Sequence, residues 1–207
     1  MDGMNTPRHW ENVYREKSPG TVSWYRPHLD RSIELIQSAA PDRTASIIDV
    51  GGGESTLVDD LLELGYRNLT ILDVSQMALD VTKARLGESS KFIRWVYGDI
   101  TELSLPIGAF DVWHDRALFH FLTKPADRSA YVQNVEKSLK PGGHVIVSTF
   151  GPQGPTKCSG LETMRYDAEG LQQEFGNRFK RLEDFKEQHE TPSGVTQEFL
   201  YCHFRFD

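Results

Sequence analysis

Ala45-Ser46-Ile47-Ile48-Asp49-Val50-Gly51-Gly52-Gly53-Glu54-Ser55 is the stretch on which the fold turns. Its first half is a short apolar run ending in a carboxylate, as expected of a strand buried on both faces. Its second half is a glycine turn, where missing Cβ atoms let the chain reverse sharply and let a ligand approach the backbone. Thr56 to Leu64 then carries Leu57, Val58, Leu61, Leu62 and Leu64 at helical spacing, and Gly65 suits the position past the helix end.

Outward from this unit the alternation repeats. Leu69 to Val74 reads as a second buried strand, and Ser75 as the N-cap of a helix running to Leu86 and closed by Gly87. Phe92 to Val96 and Phe110 to His114 are a third and a fourth strand. A helix from Asp127 to Leu139 stops at Lys140-Pro141-Gly142-Gly143, and His144 to Thr149 is a fifth strand. Upstream, Arg8 to Lys17 and His28 to Ala39 read as helices separated by the turn Ser18-Pro19-Gly20. Strands alternating with helices imply a parallel sheet covered on both faces, a doubly wound α/β fold. The tail breaks the pattern. After a helix near Asp167 to Glu174, Arg181 to Glu187 and Glu198 to Phe206 read as two strands with no crossover helix between them. In the last strand Leu200, Cys202, Phe204 and Phe206 share one face and Phe199, Tyr201, His203 and Arg205 the other. An antiparallel hairpin at one edge of the sheet fits.

A chain of 207 residues is expected to form one domain, here residues 1–207, with residues 1–40 as an N-terminal helical lid. No apolar run approaches the ~20 residues that span a bilayer. Residues 1–7, Met1 to Pro7, lack the basic-then-apolar profile of a signal peptide, so a cytoplasmic location is expected. Cys158 and Cys202 are the two cysteines, which form neither a disulfide framework nor a zinc-finger spacing. A formal net charge of −7 without a basic patch disfavours nucleic-acid binding.

In doubly wound sheets the ligand sits beyond the carboxyl ends of the strands, where strand order reverses. A glycine turn alone does not name the ligand, because dinucleotide enzymes have one too. The acidic residues around it do more. A pyrophosphate would use the positive end of the following helix. Here Glu54 stands at that helix start, Asp49 precedes the turn, and Thr56 replaces the third glycine of G-x-G-x-x-G. S-adenosylmethionine, with a sulfonium, an ammonium and no phosphate, suits such a turn. Asp73 lies about 20 residues further on, where a carboxylate accepts from both ribose hydroxyls. Asp99, in Gly98-Asp99-Ile100, is either a turn residue or the acceptor for an adenine amino group beside an apolar neighbour.

Over nearly its whole length the sequence resembles the class I S-adenosylmethionine-dependent methyltransferases. The matching pieces are Asp49 to Gly53, Asp73-Val74-Ser75, Gly98-Asp99-Ile100, Phe110-Asp111-Val112, and Leu139-Lys140-Pro141-Gly142-Gly143. The resemblance implies a seven-stranded, mostly parallel Rossmann-like sheet of order 3-2-1-4-5-7-6 with the seventh strand antiparallel. It also implies Asp49 near the methionine moiety, Asp73 on the ribose and Asp99 at the adenine, with Gly51, Gly52, Gly53, Val74 and Ile100 beside them. One departure is Ser55, in place of the third glycine of the common G-x-G-x-G form.

Methyl transfer from a sulfonium is an in-line displacement. The enzyme must align nucleophile, methyl and sulfur, exclude water, and remove a proton when the acceptor carries one. Two regions are candidates for the acceptor side. His114 to Phe121 is rich in titratable groups. Asp115 is read as a base or a contact to the cofactor ammonium, Arg116 as a cofactor contact, and His120 as the better-tuned proton acceptor. The structural alternative is an Asp115–Arg116 pair with His120 capping a helix. The second region runs from His9-Trp10 through Tyr14 to Trp24-Tyr25-Arg26, where Tyr14 and Trp24 would gain cation–π attraction to the sulfonium and exclude water, or simply pack on the sheet. Trp10 and Tyr14 with Asp115-Arg116 are similar to protein-lysine methyltransferases, including those acting on elongation factors. The segment from Trp10 to Tyr25 also resembles the thiopurine and tellurite group. Cys158 lies in the loop after the fifth strand. A small-molecule acceptor, such as a thiol or another soft nucleophile, is expected without a metal; a protein lysine and a non-catalytic binding module are the alternatives.

Overall fold

The computed structural model describes residues 7–207; residues 1–6, from which the lack of a leader profile was chiefly read, lie outside the described residues. The elements run α1 (Pro7–Glu16), α2 (Asp30–Ala39), β1 (Ser46–Val50), α3 (Leu57–Glu63), β2 (Asn68–Asp73), α4 (Gln76–Leu86), β3 (Ile93–Tyr97), β4 (Phe110–Arg116), α5 (Pro125–Ser138), β5 (Leu139–Phe150), β6 (Lys157–Cys158), β7 (Leu161–Glu162), α6 (Ala168–Phe175), β8 (Phe179–Glu190) and β9 (Thr196–Phe206). The seven-stranded sheet has the order β3-β2-β1-β4-β5-β9-β8. β1 to β5 pair in parallel, and β9 is antiparallel to both β5 and β8. The expected order is therefore met, once the two-residue strands β6 and β7 are counted separately. Those two form a small antiparallel hairpin within the segment expected to be loop after the fifth strand.

Apolar alternation along β9 divides the core. Phe199 and Tyr201 join the cluster on one sheet face with Ile47, Val112 and Ile146. Leu200, Cys202, Phe204 and Phe206 join the cluster on the other face with Ile48, Trp113 and Val145. Cys158 belongs to the first cluster and Cys202 to the second, so the two thiols lie on opposite sides of the sheet and do not form a joint site.

Element ends follow local chemistry. Ser75 accepts a hydrogen bond from the Ala78 amide at 3.2 Å, as an N-cap should, and Glu11 of α1 accepts from the Gln76 amide at 2.7 Å. One boundary differs from expectation. Lys140 to Gly143 does not separate α5 from β5, because β5 starts at Leu139. Leu139 pairs with Phe110 and the next registered pair is Val112 with His144, so the intervening residues bulge out of the ladder. Lys140 Nζ anchors that bulge on the Asp111 carboxylate at 2.7 Å.

Candidate functional site

The carboxyl ends of β1, β2 and β4 converge on two adjoining clefts. The larger, about 840 Å³ with its open mouth included, is lined by Asp73, Val74, Gly98, Asp99 and Ile100 at one end and by His120, Phe121, Phe150, Cys158 and Phe199 at the other. The smaller, about 490 Å³, is lined by Asp49, Gly51, Gly52, Glu54, His114 and Tyr25 among others. Tyr14, Trp24, Gly51 and Arg116 border both.

The glycine turn is shaped by what crowds it. Gly51 has φ +73°, and a Cβ there would lie 2.8 Å from the Leu118 side chain. Gly53 has φ +36°, and a Cβ would meet Tyr14 Oη at 2.8 Å and Asp73 Oδ2 at 2.9 Å. Only glycine accommodates both the left-handed backbone and these approaches.

The acidic groups differ in how far they are occupied. Asp73, 4% exposed, accepts from the Ser75 amide at 2.8 Å, and burial pushes its carboxyl up to about 7. Glu54 is likewise buried and pushed up to about 7 by desolvation; its Oε2 has no hydrogen-bond partner among the described residues. Asp49 accepts from His114 Nδ1 at 2.7 Å, while His114 Nε2 meets Ser32 Oγ of α2 at 2.9 Å. Asp99 accepts from both the amide and the hydroxyl of Thr101, at 2.8 and 2.7 Å, so it is a turn-stabilising residue and a wall of the cleft at once.

Two expectations for the acceptor side need correction. Asp115 is fully buried and lines neither cleft. Its carboxylate accepts from the amides of Leu118 (2.9 Å) and Phe119 (3.1 Å) and from Tyr131 Oη (2.6 Å). It tethers the chain after β4 to α5, with no path to an acceptor. Nor does it pair with Arg116, whose Nε donates to Tyr201 Oη at 3.1 Å and whose Nη1 donates to the Trp24 carbonyl at 2.8 Å. His120 does line the larger cleft, but desolvation, with the Arg116 charge adding, pulls its imidazole down to about 3, so it is a weak proton acceptor rather than the well-tuned one expected. It caps no α-helix; it sits in a 3-10 turn over Phe119–Phe121 with its ring stacked on Phe150 at 4.3 Å.

The N-terminal aromatics form one cluster over the clefts. Trp10 meets Phe121 edge-on at 4.9 Å and Trp24 at 6.0 Å, and Tyr14 meets Trp24 at 6.3 Å. Packing and cleft-lining thus coincide in these residues. Phe150 and Phe199, in strands, and Leu118, in the bend after β4, were missed as lining residues, since an apolar residue carries no sequence mark of facing a cleft.

The glycine cradle fits a charged nucleoside, and so do the orphaned buried atoms, Glu54 Oε2 as an acceptor and Arg116 Nη2 as a donor. Residues 47–143 match a family model described as a methyltransferase domain. The chain is similar to EEF1A lysine methyltransferase 2 of Danio rerio, 27% identical over 70% of this chain and 69% of that protein. The Homo sapiens protein of the same name is 23% identical over 87% of this chain and 77% of its own length. Among solved structures, the N-methyltransferase NodS from Bradyrhizobium japonicum, in complex with S-adenosyl-L-homocysteine, superposes with a TM-score of 0.72 at 17% identity, over 98% of this chain and 99% of that one. With its strand order and its acidic glycine turn, the chain belongs to the class I S-adenosylmethionine-dependent methyltransferases.

Proposed function

We propose that this enzyme methylates a small molecule with a soft nucleophile, within a single domain whose segment from Trp10 to Arg26 forms a lid. Bound S-adenosylmethionine supplies an electrophilic methyl group on a sulfonium. Asp73 accepts from the ribose hydroxyls, and Asp99 and Ile100 hold the adenine. Val74 and the turn Gly51-Gly52-Gly53 flank the nucleoside. Asp49 and Glu54 face the methionine ammonium, and Arg116 offers Nη2 to the carboxylate. Tyr14 and Trp24 screen the sulfonium from water. One observation carries the small-acceptor reading: the acceptor end of the larger cleft is walled by Phe121, Phe150, Phe199 and Cys158, beside the Arg116 cation, and no carboxylate stands there among the described residues. A lysine ammonium entering there would find no carboxylate to pair with or to take its proton. A protein lysine remains the second reading, favoured by the names of the sequence relatives. A cytoplasmic setting is supported by two free thiols, which a reducing compartment maintains, and the absence of a nucleic-acid partner by the net charge of −7.

The test is turnover of labelled S-adenosylmethionine against thiols and other soft nucleophiles on one side and lysine peptides on the other. Methylation of lysine peptides alone would replace the first reading by the second. In the same preparations S-adenosylhomocysteine should raise the melting temperature while NAD does not, because only a ligand selective for the native state stabilises it.

Asp73 makes a further outcome measurable. Its ligand-free carboxyl titrates at about 7, whereas the ribose hydroxyls need it ionised. Binding must then expel a proton below pH 7, so affinity falls as pH falls. S-adenosylhomocysteine should bind roughly tenfold more weakly at pH 6 than at pH 8 by calorimetry. Glu54 titrates in the same range and adds its own dependence, so Glu54→Gln should keep the Asp73 part of the profile and Asp73→Asn should flatten it to the Glu54 part. Asp73→Ala should cost about 1–3 kcal/mol of binding; unchanged affinity would remove Asp73 from the ribose.

A further inference from the structure

His120 has a protonation state fixed by the backbone. The Phe150 amide donates to its Nδ1 at 3.2 Å. An amide N–H has no lone pair to offer, so Nδ1 must be the bare, accepting nitrogen. A neutral imidazole has one N–H, which is therefore on Nε2. That atom is buried, has no partner among the described residues, and belongs to a side chain lining the acceptor end of the larger cleft. The ring is stacked on Phe150 and edge-on to Phe121 at 4.5 Å, and the Phe150 amide contact sets which edge faces the backbone. A buried donor left unpaired is destabilising, and a ligand atom that accepts from it relieves that penalty.

The other titratable groups sharing this cleft do not supply a base. Asp73 and Asp99 stand at the far end, with Asp99 Oδ1 occupied by Thr101. Burial pushes the Tyr14 hydroxyl and the Cys158 thiol upward, so both keep their protons, and Arg116 is a cation.

We propose that His120 is a fixed Nε2–H donor that grips an electron-rich atom of the methyl acceptor, and that the acceptor's nucleophile arrives already deprotonated because the pocket has no base. The substrate class is then an acidic nucleophile, and the Phe121, Phe150 and Phe199 rings lining this end of the cleft suit a flat one, such as an aromatic thiol. Its sulfur lone pair forms the bond to the methyl carbon, the carbon–sulfonium bond breaks with its pair on the departing sulfur, and no proton is released at that step. This deepens the small-acceptor reading and rests on it for the substrate, though not for the state of His120.

The experiment has two arms. In the first, the protein is labelled with 15N-histidine and complexed with S-adenosylhomocysteine, and His120 is assigned by its loss in His120→Gln. The spectrum should show a protonated Nε2 and a bare Nδ1, unchanged from pH 5 to 9, with Nε2 shifting when thiophenol is added. A protonated Nδ1, or a ring that titrates near 6 to 7, overturns the proposal. In the second arm, kcat/KM is followed against pH for thiophenols of different acidity. Each profile should rise through that thiol's own pKa and then stay flat. An inflection common to all thiols and lost in His120→Gln would identify His120 as a base and overturn the proposal. His120→Leu should raise KM about tenfold, with partial rescue in His120→Gln, whose amide restores a donor. Should lysine peptides alone be methylated, the small-acceptor reading fails, and the spectrum alone then decides on His120.

Discussion

Replacing Asp115 by alanine should lower the melting temperature by roughly 10 °C, a loss of stability before any loss of chemistry. The carboxylate lies at the end of β4, wholly buried, and accepts from two amides and from Tyr131 Oη, which itself accepts from Trp113 Nε1 at 2.8 Å. Burial pushes its carboxyl up to about 6, against the opposing pull of these donors, so it is ionised above that pH. Truncation orphans three buried donors at about 1–3 kcal/mol each, and partial relaxation leaves a total of about 3–5 kcal/mol. For a chain of this size each kcal/mol moves the midpoint by roughly 2–4 °C. Calorimetric melts of the wild type, Asp115→Asn and Asp115→Ala should fall in that order. If the alanine variant melted within about 2 °C of the wild type yet had lost turnover, Asp115 would belong to the chemistry after all.

The misreading of Asp115 has a physical origin. β4 is buried on both faces, so its residues show no polar–apolar alternation to tell the faces apart. Its odd positions, Trp113 and Asp115, turn toward Tyr131 on α5, and His114 turns toward Asp49 and Ser32. A sequence shows that titratable groups cluster there but not which way each points. The cofactor end was more legible, because glycines and strand-end carboxylates at Asp49, Asp73 and Asp99 recur at each β-to-α turn, and local chain geometry alone brings them to one edge. His120 was legible as a cleft residue and not as a donor. Its tautomer depends on the Phe150 amide across the sheet. The strand alternation of β9 was plain, whereas the bulge at Lys140 to Gly143 depends on an ion pair with Asp111 that spacing does not reveal.

Removing residues 1–26 should abolish turnover, by a factor on the order of 10³ or more, while the sheet stays folded. The core strands begin at Ser46, and their pairing involves none of the removed residues. The segment is instead fastened from outside. The His189 imidazole bonds the Ser23 carbonyl at 2.7 Å, Arg26 pairs with Glu187, and Arg116 Nη1 reaches the Trp24 carbonyl at 2.8 Å. All three anchors hold the loop that presents Trp24 to both clefts, so the aromatics are held over the site from two strands, β4 and β8. Without them the clefts open to water, and a loss of about 4 kcal/mol in transition-state stabilisation corresponds to the stated factor. Some stability also goes with Val13, Tyr14 and Val22, which are buried, and an accompanying fall of several degrees is expected. Trp24→Ala separates the two effects, since it keeps every backbone anchor. It should lose at least tenfold in turnover with little change in melting temperature. Limited proteolysis gives an independent reading: cleavage near Ser18-Pro19-Gly20 should slow when S-adenosylhomocysteine is bound, because the ligand fills the space beneath Tyr14 and Trp24. A truncated enzyme that methylates at the full rate would reduce the segment to surface packing, and the enclosure of a small acceptor would fail with it.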